Sequence, residues 1–455
     1  MTMDEIMKEY EEMTPNSRKA HEEAVSLIPG GVAANIKYFD PYPIHMKGGE
    51  GAWLHDVDGN RYVDYLQSYG PLILGHGHPA VKKAIRDQLE DQGAILYGTP
   101  HELELTMARK VQELYPSMEM LRYTNSGTEA TLFALRLAYA YTGKYKIGKF
   151  EGHYHGGYNQ VLISVNPPLS EAGDVRRPDP VPESCGLEPY QMEHTIILPF
   201  NDLEACTQIL REHQEDMAAI IMEPILTGYV PATQEFMDGL RKVTHELGIL
   251  LIFDEVKTGF RCGLRGAQGH YHIKPDLTAL GKVLGAVFPM GIVGGKREIL
   301  MMAAPLNGSD VFDVSSSGRS SAKDVLFHSG TYNGHPLILR AGLATIEVLE
   351  QEMDSIVEHT CALRKGLEEL FRKKGMPMQT VGMGTVFNIL LTEVPVLKYR
   401  DIQTSDFALR KKIDFALFKE GIYNKPTNRY SVSAAHDSKV IEFTLEAYRN
   451  VLKRI

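Results

Sequence analysis

The chain has 455 residues, 43% of them hydrophobic, which is enough to bury more than one core, so a two-domain soluble enzyme is expected. A formal net charge of −10 with no basic run argues against nucleic acid or an anionic membrane surface as a partner. No apolar run reaches membrane-spanning length and the acidic start, Met1-Thr2-Met3-Asp4-Glu5, has no apolar leader, so the cytoplasm is the expected location.

In chain order, Asp4 to Leu27 reads as one amphipathic helix that ends at Pro29-Gly30-Gly31. Met120-Leu121-Arg122-Tyr123 reads as a strand, and Asn125-Ser126-Gly127-Thr128-Glu129-Ala130 leads from it into a helical stretch over Thr131 to Tyr141. Ser126, Gly127 and Thr128 then occupy a helix N-terminus, where free N–H groups, the helix dipole and two hydroxyls make a phosphate cup. An ordinary N-cap is the competing reading. No Gly-Lys-Ser/Thr follows and no GxGxxG occurs, so nucleotide readings lose ground. Strands are expected at Tyr145–Phe150, Thr195–Leu198, Ala218–Met222 and Ile249–Phe253, with helices such as Gln234–Leu247 between them, in the βαβ manner of a mostly parallel sheet. From Pro336 onward, long helices surround one β segment, Thr385–Leu391, which suggests a smaller α/β domain. Two loops stand out: Asn166 to Glu188, read as a mobile surface flap, and the polar insertion Gly308 to Asp324.

The apolar strand Ile249-Leu250-Leu251-Ile252-Phe253 ends in Asp254-Glu255, and a second short strand, Asp276-Leu277-Thr278-Ala279-Leu280, runs into Gly281-Lys282. A run of five apolar residues reads as a strand buried on both faces, and an ionised aspartate at its end is costly unless it faces a cation. Ligands of open α/β sheets sit outside the carboxyl ends of the strands, where Asp254 and Lys282 would both emerge. One chemistry needs the pair: a lysine forms a Schiff base with an aldehyde while an aspartate keeps a pyridine nitrogen protonated, so that the ring acts as an electron sink. That cofactor is pyridoxal 5′-phosphate (PLP). A structural Asp–Lys ion pair is the bland alternative. Glu223-Pro224 ends another strand at the same edge, as a cofactor neighbour or a plain cap. His153 and His155 without a carboxylate at helical spacing are weak metal ligands, and the four cysteines lack CxxC spacing, so no metal is expected.

These pieces, in order and spacing, resemble the class III, fold-type I PLP aminotransferases, most nearly the glutamate-1-semialdehyde aminomutase-like subgroup. The likeness runs through Pro29-Gly30-Gly31-Val32, Asp56-Val57-Asp58-Gly59-Asn60, Gly70 to His76 and Asn125 to Ala130. It continues through Tyr154-His155-Gly156, Phe253 to Arg261, Gly281-Lys282 and Ser433-Ala434-Ala435-His436. The resemblance implies a large PLP-binding domain with a mostly parallel sheet over residues 81–330. A smaller α/β domain would come from 331–455, with 1–80 packing against it. It also implies that Lys282 carries PLP and moves the proton, that Asp254 holds the pyridinium, and that Ser126, Gly127 and Thr128 take the phosphate. Tyr154 would stack on one ring face, Val256 would pack on the other, and Glu223 would lie near the cofactor. Thr331, in Gly330-Thr331-Tyr332-Asn333, would reach the phosphate of the neighbouring subunit, which makes a homodimer with shared active sites the expected assembly.

Departures from the aminomutase pattern fall on the substrate side. Lys37 stands where the aminomutases carry a carboxylate-binding arginine, and lysine lacks the bidentate fork. Tyr69 replaces their gating tryptophan, and Arg429, in Thr427-Asn428-Arg429-Tyr430, is placed where an arginine could take over the carboxylate, with a plain surface arginine as the competing reading. The reading is a transaminase that moves an amino group between an amino acid and an oxo acid by a ping-pong cycle. The alternatives are glutamate-1-semialdehyde aminomutase, an isomerase forming 5-aminolevulinate, and an amino-acid racemase or epimerase. A PLP-binding regulator of transcription would need a basic DNA-binding module in front, which fewer than forty residues do not supply.

Overall fold

The computed structural model describes residues 1–91, 96–305 and 325–455, and the expected polar insertion at 308–324 lies outside them. The chain divides into two units. The larger comprises Lys83–Val348 with Val396–Arg400; the smaller comprises Met1–Lys82, Leu349–Pro395 and Asp401–Ile455.

In the larger unit, strands built from apolar runs bury both faces. Met217–Met222 and Leu250–Asp254 are buried at every residue, as a sheet covered on both sides requires. Seven strands lie in the spatial order Met120–Thr124, Gly291–Gly295, Leu277–Gly281, Leu250–Asp254, Met217–Met222, Lys146–Phe150, Thr195–Leu198. The last five are mutually parallel, whereas Gly291–Gly295 runs antiparallel to both its neighbours. This strand is absent from the sequence reading because Gly-Ile-Val-Gly-Gly is short and glycine-rich. Its glycines answer to close backbone approach: a Cβ on Gly291 would lie 2.3 Å from the Ser126 carbonyl oxygen, and one on Gly295 2.2 Å from that of Asp276. The helix Gly127–Thr142 packs Ala130, Phe133, Ala134 and Leu137 against Ile221, Ile252, Ala279 and Val293 of the sheet. It begins four residues earlier than its apolar pattern suggests, and stops at Gly143 in the left-handed conformation that glycine adopts without steric cost.

The segment Asn166–Glu188, expected as a mobile flap, is stitched to the rest of this unit. Arg400 donates to both oxygens of Glu151 and to the carbonyls of Ala172 and Gly173, each at 2.9 Å, and Tyr399 Oη donates to the Pro167 carbonyl. The composition of the loop was informative about exposure; its anchors on Tyr399 and Arg400 are more than 200 positions away and left no local signal.

The smaller unit holds a four-stranded sheet (Met46–Glu50, Trp53–Asp56, Arg61–Asp64, Ile422–Tyr423) and a three-stranded one (Gln379–Met383, Val386–Leu390, Tyr430–Ser431). The single helix expected over Asp4–Leu27 is two, Met3–Met13 and Pro15–Leu27. Pro15 has no N–H and its ring obstructs the preceding turn, so Thr14 leaves helical geometry (φ −129°, ψ 42°) and the proline starts the second helix. Thr14 Oγ1 donates to the Tyr10 carbonyl at 2.6 Å, replacing a bond the break removes. The apolar pattern continues across the break, which is why it reads as one helix.

The deepest charges of this unit are Arg410 and Asp414, one turn apart and paired at 2.9 and 3.0 Å, with Asp414 also accepting the Thr427 N–H at 2.6 Å. Removing one member of such a pair leaves an uncompensated buried charge, so Asp414→Ala is expected to lower the unfolding free energy by about 3–5 kcal/mol. Chemical denaturation measures this, and a loss below about 1 kcal/mol, the scale of an exposed pair, would contradict it.

Candidate active site

Strand register assembles the site. Phe253 pairs with Met222 and Asp254 with Ala279, so Glu223, Asp254 and Gly281-Lys282 leave three adjacent parallel strands at one carboxyl edge. Asp254 is 4% exposed. Its Oδ1 accepts the Val256 N–H at 3.0 Å and its Oδ2 lies 2.8 Å from His155 Nδ1. A carboxylate has about four acceptor positions, so this one keeps capacity for a further cationic donor. Lys282 opens a tight turn with φ +48°, a conformation uncommon outside glycine and concentrated at functional sites.

The helix N-terminus lies against the same edge. A Cβ on Gly127 would meet Val256 Cγ1 at 2.5 Å, and one on Gly281 would meet the same methyl at 3.3 Å. A Cβ on Gly156 would meet Thr128 Cγ2 at 2.9 Å. Three glycines thus let the Ser126-Gly127-Thr128 cup, the turn after Asp254, the turn at Lys282 and the Tyr154-His155-Gly156 turn close on one another. Ser126 is the N-cap, its Oγ accepting the Glu129 N–H at 3.1 Å. Accepting leaves its own proton free to donate, so the cap and the phosphate cup coexist. First-turn N–H groups have no intrahelical partner and, with the dipole, attract an anion.

The class-III aminotransferase profile matches residues 37–430. The chain belongs to that family. It is 41% identical to the glutamate-1-semialdehyde 2,1-aminomutase of Ignicoccus hospitalis, over 95% of this chain and 97% of that one. It is 38% identical to the enzyme of the same name from Methanothrix thermoacetophila, over 96% of each. Among solved structures, an omega-transaminase from Sphaerobacter thermophilus superposes with a TM-score of 0.88 at 32% identity, covering 96% and 97% of the two chains. A beta-phenylalanine aminotransferase from Variovorax paradoxus gives 0.85 at 29%, covering 99% and 97%. The fold is that of the fold-type I PLP transferases, and within the class III family the chain is of the glutamate-1-semialdehyde aminomutase-like kind.

The cofactor of this class III enzyme is pyridoxal 5′-phosphate, and the residues present fit it. A phosphate cup, a buried carboxylate with spare acceptor capacity and a lysine on an adjacent strand end match the three handles of one rigid molecule. Val256 lies between the cup and the Lys282 turn. Glu223 is 1% exposed: its Oε2 accepts the Tyr154 N–H at 3.0 Å, and its Oε1 lies 2.6 Å from Lys257 Nζ. Tyr154 itself is 41% exposed.

Two neighbours escaped the sequence reading. His155, weighed there only as a metal ligand, pairs with Asp254, and Thr131 Oγ1 fixes its carbonyl at 2.6 Å. His153 Nδ1 accepts the Glu223 N–H at 3.0 Å, and burial holds this imidazole well below its ordinary pKa, so it stays neutral. Sequence spacing carries no trace of either contact, because each joins one strand end to another.

The remaining expected residues fall as follows. Thr331 lies in an exposed turn of the larger unit. Lys37, Tyr69 and Arg429 belong to the smaller unit and are neighbours within it. Tyr69 Oη donates to the Ile36 carbonyl at 2.6 Å, Lys425 Nζ donates to the same carbonyl, and Arg429 Nη2 donates to the Tyr69 carbonyl at 3.2 Å. Lys37 is exposed beside Ile36. Burial pushes the Tyr69 phenol up to about 12, with the nearby Arg429 opposing, so it donates rather than ionises. Gln67, Ser68 and Tyr69 all have positive φ, a run held by Asp64 Oδ1 accepting the N–H groups of Leu66 and Gln67.

Proposed function

We propose that this protein moves an amino group between adjacent carbons of one substrate, as an aminomutase acting on glutamate-1-semialdehyde. The convergence of Asp254, Lys282 and the Ser126–Thr128 cup on one edge carries the chemistry. The names of full-length relatives at 38–41% identity support the intramolecular outcome. Bound PLP supplies an aldehyde carbon and a pyridine ring that delocalises electrons. Lys282 Nζ would hold the cofactor at its aldehyde carbon and would serve as the base that moves a proton at the substrate carbon. The Asp254 carboxylate keeps the pyridine nitrogen protonated, and His155 orients that carboxylate. Ser126 Oγ–H with the Gly127 and Thr128 N–H groups would hold the phosphate, and Tyr154 and Val256 would flank the ring.

A second reading, transamination between separate amino and oxo acids, is favoured by one observation. The substrate-side trio departs from the aminomutase pattern at Lys37, Tyr69 and Arg429 together. The likeness to the omega-transaminase structure supports it as well. The assembly we propose is a homodimer in the cytoplasm, with Thr331 serving the neighbouring subunit. Exposed apolar side chains on the larger unit, among them Leu105 at 58% and Tyr332 at 58%, supply material for that contact. No helix among the described residues is long and apolar enough to cross a membrane.

Incubating the PLP-loaded protein with glutamate-1-semialdehyde alone separates the two readings. Many turnovers to 5-aminolevulinate without an acceptor are expected. Release of one equivalent of oxo product, with the cofactor left in its amino form, would establish transamination instead.

A further inference from the structure

Three residues beyond Asp254 stands a lysine that the chemistry above does not use. Lys257 Nζ lies 2.6 Å from Glu223 Oε1, and the pair is withdrawn from water, the two side chains being 14% and 1% exposed. The other Glu223 oxygen accepts the Tyr154 backbone N–H at 3.0 Å. Lys257 Nζ also lies 5.4 Å from the centre of the Tyr154 ring, within cation–π range. One cation therefore grips Tyr154 at two points, its ring directly and its backbone through Glu223. Glu223 is braced in turn, since its N–H donates to His153 Nδ1 at 3.0 Å. A tyrosine 41% exposed has little packing to fix its ring, so a polar clamp is the restraint available to it.

We propose that Lys257 is a positioning residue, which sets the Tyr154 ring against the face of the cofactor through the Glu223–Lys257 clamp. Its charge is neutralised by Glu223 and so is not offered to a substrate carboxylate. The inference rests on the cofactor reading given above and goes further by assigning the element that holds one wall of the site.

The test uses the PLP-loaded protein and four variants: Lys257→Met, Lys257→Arg, Tyr154→Ala and the Lys257→Met/Tyr154→Ala double. Circular dichroism of the cofactor's visible band reports ring placement, and dialysis measures the cofactor dissociation constant. Lys257→Met is expected to cut the visible dichroism about twofold or more and to weaken cofactor binding about tenfold, the scale of a desolvated cation–π contact. Lys257→Arg restores both, because a guanidinium supplies the ion pair and the ring contact. With Tyr154→Ala in place, Lys257→Met adds less than about twofold, the non-additivity of groups acting through one another. Full additivity in the double variant, or unchanged dichroism in Lys257→Met, overturns the proposal. Should Lys257→Met lose its fold by far-ultraviolet dichroism, Lys257→Gln, a polar side chain without the charge, replaces it under the same criteria. A wild-type protein without a visible cofactor band would instead defeat the cofactor reading of this chain.

Discussion

Replacing Lys282 with alanine is expected to lower turnover by about 10⁴-fold, the upper end of what a positioned acid–base group contributes. It should also abolish covalent capture of the cofactor by borohydride. The phosphate cup and Asp254 are untouched by the change, so the variant still takes up PLP, released by acid rather than fixed to the chain. Lysine and alanine both carry a Cβ, so the left-handed backbone at this position, φ +48°, costs the two residues alike. Mass spectrometry after reduction decides the matter. A Lys282→Ala protein that still carried the reduced cofactor covalently would remove Lys282 from its role.

The second large effect is expected at Asp254. Asparagine keeps the shape of the side chain but not the charge that, in the proposed role, would hold a proton on the pyridine nitrogen. A loss of about 10³-fold in kcat is expected, comparable to deleting a preorganised electrostatic group from an active site. Asp254 sits 2.8 Å from His155 in a nearly water-free setting, where such charges act most strongly. An N-methylated cofactor, whose ring charge is permanent, should recover much of the loss. Equal impairment with both cofactors would mean that Asp254 acts on the fold of the site instead.

The parts of this site that were legible in the sequence share one property: each is set by a local pattern. Five apolar residues in a row announced the buried strand, and its end placed Asp254. Ser126-Gly127-Thr128 announced a helix start because small and hydroxyl residues favour that position. What stayed hidden depends on residues far apart in sequence. The His155–Asp254 pair spans 99 positions and the Glu223–Tyr154 bond 69, and neither exists until strands align in register. The Gly291–Gly295 strand was invisible for another reason. Its residues are chosen for what approaches them, a carbonyl at Ser126 and one at Asp276, rather than for strand propensity. The break at Pro15 shows the reverse error: the breaker was in plain view, but amphipathic periodicity on both sides masked it.

Arg400 has a bearing on how the molecule is made. The larger unit includes Val396–Arg400, a short return of the chain after an excursion through the smaller one. Its guanidinium holds Glu151 and the carbonyls of Ala172 and Gly173, contacts that reach across 227 to 249 positions. Ribosomes deliver residues in order, at about 5–20 per second. The segment around Ala172 thus waits on the order of ten seconds or more after its own synthesis for its last anchor to be made. Throughout that interval the nascent larger unit carries a buried-to-be carboxylate, Glu151, without its counter-charge.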